Sequence, residues 1–163
     1  MKTYVLTLSK VFPVRHKRAG EPTNFERAFM AGLGYAMGGK LHTIRSNYEL
    51  WAKRFEKIAD GEAALSIRQW TGKPYGKGST QREIALLTRK DGIGLQKMTV
   101  AGTCIGYHPT FVDGVSVPSK TLAANDGLSE SDWRNWFEGY KTLEPLAVIQ
   151  FTKFRYKYEN NQI

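Results

Sequence analysis

The stretch Gly38-Gly39-Lys40-Leu41-His42-Thr43-Ile44-Arg45 says most about the fold of this 163-residue chain. Its second half predicts a short strand. Alternate side chains of a strand share a face, so Thr43 and Arg45 project together, while His42 and Ile44 project to the opposite side. One face of this strand is therefore expected to be polar and the other to meet the core.

Lys40 precedes the strand and would fall on the wrong face if the strand continued back to it. The glycines Gly38 and Gly39 allow a turn that brings its ammonium toward the Thr43 hydroxyl. We therefore expect Lys40, Thr43 and Arg45 to converge on one site. From these residues alone, Lys40 is equally a surface lysine at a turn, Thr43 a plain strand residue, and Arg45 half of an ion pair with Asp126.

Hydrophobic periodicity on either side of this stretch predicts an α+β domain. Without a regular βαβ alternation, the pattern favours a mixed, mostly antiparallel sheet or small barrel with flanking helices, as a single domain over residues 1–163. Strands are predicted at 4–9, 41–46, 62–70, 82–88, 93–100 and 146–158, and helices at about 23–34 and 47–59, from about 119, and after 129.

Two predicted helices begin with candidate capping boxes, one at Thr23 with Glu26 and one at Ser129 with Asp132. Aromatic residues recur at helical spacing in several predicted helices and are expected in the core rather than in a binding platform. The last predicted strand would place three cations on one face, either as a phosphate contact or as a solvated surface: Lys153, Arg155 and Lys157.

Composition points to an intracellular protein with a polyanionic partner. The formal net charge is +9, which favours nucleic acid through counterion release, although a basic surface kept for solubility has the same charge. One cysteine, Cys104, excludes an intrachain disulfide and fits a cytoplasmic location. The sequence predicts no membrane span, no structural metal and no cofactor, and leaves the oligomeric state open.

A loop rich in glycine and basic residues, 71–80, follows the strand that ends at Trp70. Trp70, Lys73, Tyr75 and Lys77 combine aromatic faces with cations, as in binders of single-stranded nucleic acid. The alternative is a buried Trp70 at a strand end followed by a solvated hairpin loop. The glycine spacing does not match a phosphate-binding loop.

The run of Gly38, Lys40, Thr43 and Arg45 resembles the Gly-x-Lys-x-x-Thr-x-Arg-like signature of the ASCH domains, which are relatives of the PUA RNA-binding fold. Residues 58–63 resemble the turn that opens the next strand of that family, and residues 125–129 resemble the acidic segment before its last helix. In order, these motifs cover most of the chain.

The resemblance implies a PUA-like fold with a basic cleft for RNA or a modified nucleoside, held by Arg45, His42 and the hairpin loop. Some ASCH proteins are small amidohydrolases that deacetylate N4-acetylcytidine with a lysine, a threonine and an acid. By position these are Lys40, Thr43 and Asp126, the last being Asp where those hydrolases carry Glu. A metal-independent ribonuclease is a further possibility that the resemblance leaves open.

His42 has two interpretations. It lies next to Thr43 and is a candidate for ligand binding, whereas a histidine in such a strand is more often a packing residue with its hydrogen bonds satisfied.

Overall fold

The computed structural model describes residues 1–34 and 38–158. Within these ranges the chain is an α+β structure, as predicted. The strands are β1 (Lys2–Thr7), β2 (His42–Arg45), β3 (Ala63–Trp70), β4 (Gln81–Leu87), β5 (Gly94–Val100), β6 (Thr110–Val112), β7 (Val115–Ser116) and β8 (Leu146–Gln150), and the helices are α1 (Phe25–Leu33), α2 (Tyr48–Ala59), α3 (Ser119–Asn125) and α4 (Glu130–Trp136).

The strands form two sheets. In the smaller one β3 lies between β1, which runs parallel to it, and β4, which runs antiparallel. The larger sheet is antiparallel throughout and has the order β2-β8-β5-β6-β7. The described strands do not close into a barrel, so the predicted barrel is not present in this part of the chain.

Strand β8 is the wall that two hydrophobic cores share. Every one of its residues is buried, and its side chains alternate between the two sides, as the pleat of a strand requires. Ala147 and Ile149 belong to the core formed with α1, α2 and the smaller sheet. Leu146 and Val148 belong to the core formed with α3 and α4. The aromatic faces of α2 and α4 pack on these cores, which confirms that they are structural.

The predicted strand over 146–158 was too long. β8 ends at Gln150, and the chain then bends. The guanidinium of Arg155 donates to the carbonyl oxygens of Thr152, Phe154 and Gly92, with Nη2 at 2.7 Å from the last. Arg155 is therefore tied to the backbone, and the expected row of three cations on one strand face does not form.

The capping box predicted at Thr23 is also wrong. Asn24 is the N-cap of α1, in a left-handed conformation with φ 60° and no side-chain cap. The Thr23 hydroxyl donates to the carbonyl of Ser9 at 2.6 Å, and Glu26 pairs with Arg82. At α4, by contrast, Ser129 Oγ accepts from the backbone amide of Asp132 at 3.1 Å, which confirms the Ser129 half of that box, while the Asp132 carboxylate pairs with Arg18.

Two short strands, β6 and β7, lie in the segment 107–119, where no strand was predicted. No helix in the described residues is long and apolar enough to cross a membrane.

Candidate functional site

A close backbone contact positions Lys40 beside helix α1. A Cβ added to Gly39 would lie 2.4 Å from the amide nitrogen of Gly32, and one added to Gly32 would lie 2.5 Å from the Lys40 carbonyl oxygen. The Lys40 amide donates to the carbonyl of Ala28 at 2.7 Å. Gly39 is thus needed for close approach to α1, whereas Gly38 supplies the positive φ of 83° that the turn requires.

Lys40 and Asp126 form a buried ion pair. Lys40 Nζ lies 2.5 Å from Asp126 Oδ1 and 2.7 Å from the Asp126 carbonyl oxygen, and it sits 4.1 Å from the centre of the Phe25 ring. The indole Nε1 of Trp133 donates to Asp126 Oδ2 at 3.1 Å. The two charged side chains are only 2% and 5% exposed. The structure therefore brings together two of the three residues predicted to be catalytic.

Burial shifts both groups of this pair toward their neutral forms. It lowers the pKa of Lys40 and raises the pKa of Asp126, and in each case the charge of the partner opposes the shift. The proton affinities of the amine and the carboxyl consequently approach each other. A pair of this kind is suited to exchange protons with a bound ligand.

Arg45 reaches the same site from β2. Its Nη2 donates to the carbonyl oxygen of Thr7 at 2.5 Å, while its Nε is buried and has no hydrogen-bond partner among residues 1–34 and 38–158. The anticipated ion pair between Arg45 and Asp126 is not formed, because the carboxylate is taken by Lys40. Arg45 therefore has one buried donor without a partner in the described chain.

Thr43 lies on the same face of β2 as Arg45. Over the described ranges its buried hydroxyl makes no hydrogen bond with another residue. Lys40, Thr43, Arg45 and Asp126 all line one cavity of about 50 Å³. The convergence expected from the sequence is present.

The size of this cavity limits what can enter it. A water needs roughly 10 to 15 Å³ by the same kind of measure, so the cavity holds a few non-hydrogen atoms, whereas whole ligands usually occupy roughly 300 to 1,000 Å³. The remaining walls are mostly apolar and aromatic: Leu8, Ser9, Phe25, Ile44, Leu128, Trp136, Phe137 and Tyr140. A small group of a larger ligand fits these dimensions.

Two wider grooves adjoin the cavity and share Tyr140 with it. One, of about 580 Å³, lies between the start of α2 and the segment 140–146. The other, of about 450 Å³, lies beside Cys104 and Arg134. The sequence had indicated Tyr140, like Trp133, only as a core aromatic, and nothing in the helical spacing of these residues separates a cavity wall from ordinary packing.

His42 lies outside the cavity, on the opposite face of β2. Its Nε2 is 2.7 Å from the hydroxyl of Tyr156, which also accepts from Asn125 Nδ2 at 3.0 Å. Burial, followed by the charge of Lys40, lowers the pKa of His42 to about 3. His42 is therefore a neutral residue of a buried network.

The hairpin loop between β3 and β4 does not line the cavity. The rings of Trp70 and Tyr75 lie 4.8 Å apart at an angle of 54°, and the side chains of Lys73, Tyr75 and Lys77 point into open surroundings without carboxylate partners in the described chain. Tyr75 is 90% exposed.

No group of three or more His, Cys, Asp or Glu side chains that could hold a metal ion occurs in the described ranges. The Nδ1 of His108 accepts from the Cys104 amide at 3.0 Å, so these two residues make a local turn contact.

Comparison with family models, with curated proteins and with solved structures finds no match for this chain. The resemblance to the ASCH domains rests on the motifs of the sequence alone, and the geometry of the cavity has to carry any proposal of function.

Proposed function

We propose that this chain is an ASCH-like, PUA-related module that binds a modified pyrimidine nucleoside, free or within RNA, with a small acyl group of the base in the cavity at Thr43. One observation carries the proposal. Arg45 has a buried Nε donor without a partner in the described residues, and Arg45 lines a cavity of about 50 Å³ together with Thr43 and the Lys40–Asp126 pair. A carbonyl oxygen satisfies such a donor, and a methyl group fits the apolar walls.

The same features explain why the acyl group rather than the whole base would enter. An acetyl group has three non-hydrogen atoms, which matches the space, and the base and ribose would remain in the adjoining grooves. A hydrogen bond from a charged donor to a buried carbonyl contributes about 1.5 to 3 kcal/mol. This contribution would make the acylated nucleoside bind more tightly than the same nucleoside without the acyl group.

The opposed pKa shifts of Lys40 and Asp126 favour a second function, hydrolysis of the bound amide. In the neutral form, Lys40 accepts the proton of the Thr43 hydroxyl as its oxygen attacks the acyl carbon. Asp126 in its acid form gives a proton to the departing amine of the base, and the C–N bond breaks. Water then hydrolyses the ester on Thr43, which releases the carboxylic acid. Arg45 Nε donates to the oxyanion formed in each step.

The test is incubation of the protein with N4-acetylcytidine, with release of cytidine followed by chromatography and binding measured by calorimetry. Thr43→Ala removes the nucleophile, and Thr99→Ala, at an exposed position of β5, is the matched control. We expect turnover by the wild type and by Thr99→Ala, and only the uncatalysed rate with Thr43→Ala.

Binding without turnover would contradict the proposed hydrolysis and would support the binding function alone. Neither binding nor turnover would overturn the proposal for this nucleoside, and cleavage of a labelled RNA by the wild type but not by Thr43→Ala would replace it with ribonuclease activity.

A further inference from the structure

A third groove lies along the start of helix α1, next to the cavity. It has a volume of about 480 Å³ and is lined by Lys10, Pro22, Asn24, Phe25, Glu26, Arg27, Met30 and Gln69. Phe25 also lines the cavity, where its ring lies 4.1 Å from Lys40 Nζ. The groove and the cavity are thus separated by a single aromatic side chain.

The far side of this groove reaches the hairpin loop after β3. Lys10, which lines the groove, donates from Nζ to the carbonyl of Thr71, the first residue of the loop, at 3.2 Å. Tyr75 stands at the surface with its ring 4.8 Å from that of Trp70 and its backbone in a left-handed conformation, φ 60°. The loop therefore holds an aromatic face in solvent although burial contributes almost nothing to keeping it there.

The charge along this route is positive. Lys10, Arg27, Lys73 and Lys77 have no ion pair with a carboxylate among residues 1–34 and 38–158. The carboxylate that lines the groove, Glu26, is paired with Arg82 at 2.5 Å, so it does not cancel these cations. Unpaired surface cations beside an exposed aromatic face match the backbone and the unstacked bases of a single strand.

We propose that the ligand of the cavity is a nucleotide within single-stranded RNA. The flanking strand would run past Phe25 through the groove, with phosphates near Lys10 and Arg27, and a base would stack on Tyr75 and Trp70. A duplex is excluded from this arrangement because its bases are already stacked and paired. This inference rests on the proposed function, since the cavity supplies the position of the modified base.

The experiment compares three ligands by fluorescence polarisation and competition: a labelled 12-nucleotide RNA with one internal N4-acetylcytidine, the same RNA in a duplex, and free N4-acetylcytidine. Tyr75→Ala removes the stacking face, and Tyr75→Phe keeps it. Tyr158→Ala removes an exposed ring elsewhere, whose hydroxyl donates to the Gly114 carbonyl, and is the matched control.

We expect Tyr75→Ala to weaken binding of the single strand at least fivefold, the lower end of the loss for one stacked base. Tyr75→Phe and Tyr158→Ala should bind within twofold of the wild type, and none of the three should change the affinity for free nucleoside. Wild-type protein should prefer the single strand to the duplex.

The charge component has its own control. Lys73→Gln with Lys77→Gln should flatten the dependence of RNA affinity on salt, whereas Lys53→Gln with Lys120→Gln, which removes the same charge from exposed sites elsewhere, should leave the slope as it is. Equal loss of RNA affinity in both double variants would mean that only net charge matters and would overturn the route.

The two proposals fail differently. If free nucleoside binds but RNA affinity is unchanged in Tyr75→Ala, the strand route is wrong and the cavity function stands. If free N4-acetylcytidine does not bind and the acetyl group within the RNA does not change the affinity for that RNA, the cavity function is wrong. The strand route as proposed is then wrong as well.

Discussion

Replacement of Lys40 by methionine should destabilise the protein strongly. Met fills the space of the lysine stem but leaves the Asp126 carboxylate buried, with the Trp133 indole as its remaining side-chain hydrogen-bond donor. Removing one partner of a buried ion pair costs about 3 to 5 kcal/mol, because the other charge stays without compensation. With a urea dependence of about 2 kcal/mol per M, the unfolding midpoint falls by roughly 1.5 to 2.5 M.

The size of this loss should depend on pH. Without Lys40, burial raises the pKa of Asp126 further, so the carboxyl takes up a proton more readily and the penalty is relieved. We therefore expect the difference between Lys40→Met and the wild type to be smaller at pH 5 than at pH 8. In the double variant with Asp126→Asn, the amide oxygen still accepts from Trp133 and no charge is left, so stability should partly return.

Urea denaturation followed by tryptophan fluorescence measures all of these variants. Lys57→Met is the control, because the pair of Lys57 with Glu62 has a similar distance of 3.0 Å but both side chains are more than half exposed, and such pairs contribute little. If Lys40→Met were no less stable than Lys57→Met, or if its loss did not change with pH, the reasoning about the buried pair would be refuted.

Further predictions concern the backbone contact, the buried histidine and the indole. Gly39→Ala should lower the thermal unfolding midpoint by several degrees or prevent folding, since its Cβ would lie 2.4 Å from the α1 backbone, whereas Gly34→Ala, with 3.6 Å of clearance, should not. His42 has a pKa of about 3 in the folded protein and about 6.5 when unfolded, so the unfolded state binds more protons between these values. Stability should therefore decrease as pH falls below about 6.5, by up to about 1.4 kcal/mol per pH unit, and the decrease should be shallower in His42→Gln; equal slopes would contradict this. Trp133→Phe removes the hydrogen bond to Asp126 and should cost more in urea denaturation than its loss of ring area explains.

Much of the architecture was accessible from periodicity. The faces of α2 and α4 repeat every three or four residues, and each packs on a core as expected. Strand β3 has Ala63, Leu65 and Ile67 at strand spacing and is bounded by turns, so its limits were predicted to within a residue. These elements follow from the local pattern of apolar residues.

Other features depend on contacts between distant residues, which no local pattern contains. β6 and β7 have three and two residues, too few to show alternation, and they form only because β5 offers an edge. The alternation over 151–158 is regular in the sequence, yet Arg155 bonds to the Gly92 carbonyl and ends the sheet. The barrel was predicted from strand number, which does not say which strands pair.

The candidate site shows the same division. Placement of Thr43 and Arg45 on one face of β2 follows from strand geometry and is confirmed, and the approach of Lys40 follows from the glycines before it. Lys40 and Asp126, 86 positions apart, were expected in one site only through the family resemblance, and their ion pair was not predicted. Arg45 Nε has no partner in the described residues because the Thr7 carbonyl accepts from Nη2 instead. No signal in the sequence indicates this arrangement.

The most direct measurement is the affinity of the Thr43→Val variant for N4-acetylcytidine and for cytidine by calorimetry. Valine keeps the shape of the cavity wall and removes the hydroxyl, so binding is measured without turnover. If the acyl carbonyl accepts from Arg45 Nε in the cavity, the acetylated nucleoside binds at least tenfold more tightly, as expected for one hydrogen bond to a buried charged group. Equal affinities for the two nucleosides would contradict the placement of the acyl group in this cavity.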